Sequence, residues 1–241
     1  MRRTTRHLMA IALLGISIAF ASACALAPSE CGMAPSHHGD GGLPPSGEFI
    51  NLPDSLAAGR LRTVNREAAA SNGGTAVRVT ASPGMGLIWI GGTDFADGTI
   101  EADVCGRDVA SQSFVGVAFH RKDEQTFEAV YVRPFNFRAR NAERRQHAVQ
   151  YIAEPDYDYS RLRAKFPEEF EHAVDPSIAP TAWIPLRVVV HDGRVRVFVG
   201  QGSPLALDVR ELRTAARGQV GLYVDNGSDG VFANVHIVHG S

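Results

Sequence analysis

From residue 49 onward, apolar side chains recur at every second position rather than every third or fourth. Ile100, Ala102 and Val104 alternate with Thr99, Glu101, Asp103 and Cys105. Val115, Val117 and Phe119 alternate with Phe114, Gly116, Ala118 and His120. The same period runs through Val130 and Val132, through Leu186, Val188 and Val190, through Val195, Val197 and Val199, and through Val220, Leu222 and Val224. Successive side chains of a strand point to opposite faces. Each run therefore predicts a strand with one wholly apolar face, in antiparallel sheets buried on one side. Residues 61–65, 76–81 and 86–91 are further strand candidates, about eleven or twelve in all, enough for one β-sandwich. Asp192-Gly193 predicts a tight type I′ hairpin, because both residues tolerate positive φ. Helix is expected only over 160–166, where Pro167 stops it, and over 209–216. Residues 153–182 read as an insertion between strands, which either shapes a binding site or folds as a flap over one sheet.

The first 47 residues have a different pattern. Arg2, Arg3 and Arg6 precede a 13-residue apolar run, Leu8 to Phe20, followed by Ala21-Ser22-Ala23-Cys24. A positive start, a short apolar middle and small residues at the end predict a secretory signal over 1–23. The run is shorter than the roughly 20 residues of an ordinary spanning helix. Small residues before Cys24 are similar to a bacterial lipobox, with Ala21 where Leu is usual. Cys24 is therefore the expected lipidation site and membrane anchor of an exported envelope protein, with free secretion after Ala23 as the alternative. Of the 23 residues from 25 to 47, 12 are Pro, Gly or Ser. Such a segment buries too little apolar surface to order itself, so 24–47 is expected to be a flexible tether and 48–241 the sandwich domain. His37-His38 reads as a solvated pair.

Charge narrows the partners. The chain carries −2; removal of 1–23 takes three arginines and no acids, leaving 21 basic against 26 acidic residues, near −5. That argues against non-specific nucleic-acid binding. Three cysteines exclude a disulfide-dense scaffold. If Cys24 carries lipid, Cys31–Cys105 is the one intrachain pairing left.

The run from Asp97 through Gly98-Thr99-Ile100-Glu101-Ala102-Asp103 to Val104, then Phe114-Val115-Gly116-Val117-Ala118-Phe119, resembles strands of concanavalin A-like jelly rolls. Gly218-Gln219-Val220-Gly221-Leu222 followed by Phe232-Ala233-Asn234-Val235 is similar to the ending of bacterial domains in that superfamily. Trp183 and Leu186 to Val190 before a hairpin fit as well. The resemblance spans about residues 49–239. It extends to laminin G-like, glycoside-hydrolase-like and 3-keto-disaccharide hydrolase-like domains. It implies an all-β, antiparallel two-sheet jelly-roll sandwich. It leaves activity open, since this fold hosts lectins, hydrolases, lyases and adhesion modules.

Two functions follow as expectations. The first is a non-catalytic glycan-binding or adhesion module with a carbohydrate ligand. The second is an enzyme cleaving a glycoside or modified disaccharide. Family-16 glycoside hydrolases carry a strand reading E-x-D-x-E or E-x-D-x-x-E. Here Glu101-x-Asp103 supplies the first two carboxylates, but Val104, Cys105 and Gly106 follow and the second Glu is missing. Glu101 and Asp103 are the catalytic candidates if there is catalysis, and Glu128 has the parity of the core residues Val130 and Val132. No cofactor is required; Asp225-x-x-x-Asp229 offers oxygens to calcium, a common passenger of laminin G-like domains, although a turn rich in Asn, Asp and Gly needs no metal.

The ligand site is expected on the strand 127–132 and beyond. Tyr131 and Arg133 share a face opposite Val130 and Val132, and Pro134 ends pairing, leaving Asn136 on a rim loop. His120 has the same parity on the preceding strand, and Gln150 or Tyr151 adds a group from the next, not both from one face. An aromatic platform with Arg and amide donors suits a sugar, whose C–H face is apolar and whose hydroxyls form hydrogen bonds. Arg138, Arg140, Arg144 and Arg145 cluster nearby, either as a solvated loop or facing an anionic sugar or lipid head group.

Overall fold

The computed structural model describes residues 31–35, 47–202, 205–213 and 216–240; the expected signal and Cys24 lie outside the described residues. In chain order the strands are β1 (Glu48–Ile50), β2 (Leu61–Val64), β3 (Ala68–Ser71), β4 (Ala76–Val79) and β5 (Gly86–Ile90). Next come β6 (Gly98–Cys105), β7 (Val115–Arg121), β8 (Phe127–Val132), β9 (Val149–Glu154) and β10 (Glu171–His172). The last are β11 (Ile184–His191), β12 (Arg194–Val199), β13 (Leu205–Arg210), β14 (Gln219–Val224) and β15 (Gly230–His239). Short helices α1 (Leu52–Ala57), α2 (Pro134–Phe137), α3 (Ala142–Gln146) and α4 (Tyr159–Lys165) sit in the connections.

The strands form two antiparallel sheets. One runs β13-β12-β11-β6-β15-β4-β3, with β1 also paired to β15; the other runs β10-β9-β8-β7-β14-β5-β2. Both are stitched from chain-distant strands, as a jelly roll requires. Val188 pairs with Val197 and Ile100, and Val117 pairs with Val130 and Leu222. These alternate residues are fully buried between the sheets, each contributing about 1.5–3 kcal/mol of burial. The Asp192-Gly193 hairpin forms with φ of 51° and 66°. Asn234 adopts φ 52° where the β15–β6 register shifts, a left-handed conformation that Asn tolerates better than most residues.

Three expectations need correction. The first sheet has one buried and one largely solvent-facing side, but the middle strands of the second are buried on both: all six residues of β8 and five of six in β9 are buried. The insertion after β9 folds back as a flap carrying α4, whose Leu162 joins the core, and adds β10 to the edge. Arginines close the rest of this face, Arg121 lying over the Trp89 ring at 5.4 Å and Arg133 over Tyr131 at 4.9 Å. The helix expected over 209–216 begins instead as the end of β13, where Leu207 and Val209 are buried and Asp208 and Arg210 exposed. Fifteen strands, rather than eleven or twelve, occur among the described residues, because β1, β3 and β10 are too short to show a period. The expected helix near 160–166 is present as α4, with Asp158 capping Ser160 and Arg161 N–H groups at 2.8 and 3.0 Å.

Part of the stretch expected to be tether is fastened to the domain. Cys31 and Cys105 form a disulfide. The Gly32 carbonyl accepts from Trp183 Nε1 at 2.8 Å, and the Pro35 carbonyl from Asn234 Nδ2 at 2.7 Å. The bridge fits an extracellular or lumenal location. No helix among the described residues is long and apolar enough to cross a membrane.

Candidate functional site

Where β8 ends and β9 begins, the second sheet opens into a cavity of about 600 Å³. Pro134 starts α2 at the first helical position, where its missing N–H costs nothing. This turn carries Phe135 and Asn136 into the wall, α3 brings Arg144, and the flap brings Tyr159 and Arg163. Phe114, whose ring packs at 5.6 Å against Phe135, and Asp225 also line the cavity.

Arg133 braces the floor. Its Nη1 donates to the His147 carbonyl at 2.9 Å, and its Nη2 to the Tyr131 hydroxyl at 3.0 Å and to Gln150 Oε1 at 3.3 Å. Tyr131, Arg133 and Gln150 thus converge, as their shared face requires. Only 1% of Tyr131 and 5% of Arg133 are exposed, and burial pushes the Tyr131 phenol well above its ordinary value. Glu171 lies behind this floor; Arg163 grips it with two hydrogen bonds of 2.7 and 2.6 Å, His147 Nδ1 stands at 2.9 Å and Arg133 at 3.7 Å. Asn136 is buried in α2 rather than set on an open rim loop, its Nδ2 donating to the His147 carbonyl at 3.2 Å. Burial also raises the Asp225 carboxyl, partly opposed by the Asn226 N–H it accepts.

His120 and Tyr151 belong elsewhere. A β-bulge puts an extra residue into β7 opposite Gln219–Gly221, and His120 takes φ 54° there. That reverses the parity expected of it. Its ring turns to the inter-sheet side, 2.5 Å from Glu128 Oε2, while Nε2 meets the Ala96 carbonyl at 2.7 Å. Tyr151, opposite Val130 in register, donates to the other Glu128 oxygen and accepts the Leu212 N–H at 2.9 Å. Glu128 therefore lies on the inner face, as its parity implied. Glu211 completes the cluster, 3.7 Å from His120. Burial and the neighbouring Glu128 push its carboxyl up to about 7, with His120 opposing. Glu211 also lines a second cavity of about 400 Å³ with Asp97, His191 and Arg217. His120, Glu128 and Glu211 offer donor atoms within 4.8 Å of one another, the one set among the described residues close enough to hold a metal ion.

The remaining candidates lie apart. Glu101 and Asp103 stand on the outer face of β6, facing His236 at 3.2 Å and Asn234 at 2.7 Å; neither lines either cavity. The calcium candidates Asp225 and Asp229 have different surroundings. Asp229 is held by Arg107 at 2.7 Å and Arg78 at 3.5 Å, and Asp225 points to the 600 Å³ cavity instead. Of the four clustered arginines, Arg144 alone lines that cavity. Sequence reasoning missed Tyr159, Arg163 and His147; Asp158 at the start of α4 was the available signal for Tyr159.

No protein-family model matches the chain, and no curated protein matches its sequence. Solved structures match it in shape. The carbohydrate-binding module CBM66 from Bacillus subtilis superposes with TM-score 0.53 at 17% identity, over 74% of this chain and 96% of that one. The exoplasmic/lumenal domain of VIP36 in its Ca2+/Man-bound form gives TM-score 0.55 at 11% identity, over 79% and 89%. A Bacillus subtilis protein with a galectin-like fold gives 0.52 at 11%, over 79% and 94%. The fold is the concanavalin A-like jelly roll, and at these identities the likeness is one of fold alone.

Proposed function

We propose that this chain is an exported carbohydrate-binding module, held at the cell envelope by lipid on Cys24, with its glycan seated in the 600 Å³ cavity at the end of β8. The observation that carries this reading is the composition of that wall. Tyr159 is 45% exposed, and the same wall carries the amide of Asn136 and the guanidinium groups of Arg144 and Arg163, held by Asn136 and Glu171 respectively. An exposed ring receives the C–H face of a sugar, and the amide and guanidinium groups serve its hydroxyls. Two structural neighbours, a carbohydrate-binding module and a mannose-bound lumenal domain, support the reading. Because residues 31–35 are fastened to the domain, the tether in this reading lies between Cys24 and Cys31, and the anchor holds the sandwich close to the membrane. Glu101 and Asp103 lie outside the cavity, so binding rather than hydrolysis is the reading retained.

A glycan array probed with the full chain, followed by calorimetry on the strongest ligand, tests the binding. Tyr159→Ala is expected to weaken the array signal while leaving the melting temperature unchanged. Reducing-sugar release from a bound polysaccharide would overturn the non-catalytic reading. Fatty-acid labelling of the protein and of Cys24→Ser tests the anchor, and absence of label in the unmodified protein would overturn it.

A further inference from the structure

The cavity wall has a charge imbalance that a neutral ligand does not use. Arg163 is committed to Glu171 through both a 2.7 and a 2.6 Å hydrogen bond. Arg133 is spent on Tyr131, Gln150 and the His147 carbonyl, with Glu171 at 3.7 Å. Arg144 is different. It is exposed on α3, its Nε donates to Asn136 Oδ1 at 3.3 Å, and its guanidinium lies 5.9 Å from the Phe135 ring. No carboxylate among the described residues forms an ion pair with it. The nitrogen that touches protein is Nε, so the two terminal amino groups of the fork remain for a ligand. Asn136 and Phe135 hold the group from one side and thereby orient it.

A neutral sugar lying over Arg144 would strip water from a charge without pairing it, which is unfavourable. A carboxylate would replace that water with two parallel charge-assisted hydrogen bonds, the geometry for which a guanidinium fork is suited. The wall supplies little to repel it. Glu171 is already shared among Arg133, Arg163 and His147. The other carboxylate, Asp225, lines the same cavity, and burial disfavours its charge.

We infer that the ligand is an acidic saccharide whose carboxylate is received by the Arg144 fork while its ring packs on Tyr159; this rests on reading the cavity as a glycan site. The test uses matched probes that differ only in charge: trigalacturonate against its carboxyl-reduced counterpart, and sialyllactose against lactose. Titration calorimetry at low salt is run on the full chain, Arg144→Gln and Arg144→Lys. In at least one pair the acidic member should bind about tenfold or more tightly than the neutral one, a difference near 1.4 kcal/mol. Added sodium chloride should erode that gap. Arg144→Gln should erase it with an unchanged melting temperature, and Arg144→Lys, which keeps the charge and loses the fork, should retain only part. Equal affinity within each pair, or a gap that survives Arg144→Gln, would overturn the acidic ligand and leave the glycan site standing. Absence of binding by all four probes, together with a blank neutral and acidic glycan array, would overturn both.

Discussion

His120 Nδ1 lies 2.5 Å from Glu128 Oε2 in the interior of the sandwich, where 2% and 0% of the two residues are exposed. The His120 Nε2 contact is a carbonyl, which can only accept, so Nε2 carries a proton. Nδ1 and the carboxylate form the second hydrogen bond of the ring. The other Glu128 oxygen receives the Tyr151 hydroxyl, which accepts from Leu212 N–H. The chain of bonds ties β7, β8 and β9 to the segment leaving β13. Glu128→Ala would strand both the ring and the phenol in a dry site. A loss of about 3 kcal/mol or more in urea unfolding is expected, because two buried polar groups would each be left without a partner. Glu128→Gln can still accept from Tyr151 and donate to Nδ1, and should cost far less. Equal losses in the two variants would mean that volume, not bonding, is what Glu128 supplies.

Glu211, at the open end of this cluster, sets a pH dependence. Its folded-state carboxyl titrates near 7 against an ordinary 4.5, owing to burial, to Glu128 and to Asp97, with His120 opposing. Between those values the native state holds a proton that the unfolded chain has released. Stability contributed by this group is therefore present below about 4.5 and declines as pH rises towards 7, then stays level. Glu154 and Asp225, also raised by burial, act in the same direction. Denaturation midpoints measured at pH 5 and pH 8 should differ less in Glu211→Gln than in the parent. An unaltered difference would remove Glu211 from the account.

Strand parity yields a sharper contrast. Val117 and Val197 are buried between the sheets, whereas Val189 lies on the outer side of β11 and is partly exposed. Val117→Asp or Val197→Asp would bury an unpaired charge and should leave no cooperative thermal transition. Val189→Asp should lower stability by about 1 kcal/mol or less.

That contrast also marks where sequence was legible. In β11 and β12 the outer positions include Arg187, His191, Arg194 and Arg196, so solvent writes much of the alternation into the chain. In β8 both faces are buried, and Phe127, Ala129 and Tyr131 are as apolar as a core face would be. Period two then says where the strand is, but not that a flap covers it. The bulge at His120 was illegible for another reason: positive φ at a histidine is imposed by tertiary contacts with Glu128 and Ala96, not by local preference. The binding wall divides in the same way. Arg133 and Asn136 follow from strand parity and Pro134. Tyr159 and Arg163 reach the cavity only because α4 folds back on β9, a long-range event that no local pattern encodes.

The Cys31–Cys105 bridge closes a 74-residue separation and pins residues 31–35 to the outer face of the first sheet. Constraining so long a loop in the unfolded chain is worth about 2–4 kcal/mol. Reduction, or Cys31→Ser with Cys105→Ala, should lower stability by that amount in urea. It should also make residues 31–35 sensitive to protease, since Gly32 and Pro35 would then be held by side-chain hydrogen bonds from Trp183, Asn72 and Asn234 without the covalent link. Glycan affinity should not change, because the bridge sits on the sheet opposite the cavity. A fall in affinity on reduction would couple the two sheets in a way the contacts do not suggest.

Tyr131 and Tyr159 separate the floor of the cavity from its contact surface. Tyr131 packs at 5.1 Å against Tyr223 and at 6.0 Å against Phe114, with its hydroxyl bound to Arg133. Truncating so buried a ring leaves a void that its neighbours cannot fill, so Tyr131→Ala should cost about 3–5 kcal/mol of stability. Tyr131→Phe should cost about 1 kcal/mol, the value of one hydrogen bond, and loosen Arg133. Tyr159 is half-exposed at the start of α4, and its ring touches the protein mainly through Arg133 and Arg163 at 5.9 and 5.7 Å. Tyr159→Ala should leave stability within about 0.5 kcal/mol yet weaken glycan binding by about 1–2 kcal/mol, as removal of an aromatic contact does. Calorimetry paired with thermal unfolding reads both quantities on the same samples. Binding that tracks stability across all three variants would mean that the cavity is only a by-product of the flap's packing. Binding lost in Tyr159→Ala alone, at an unchanged melting temperature, would make this ring the surface on which the sugar rests.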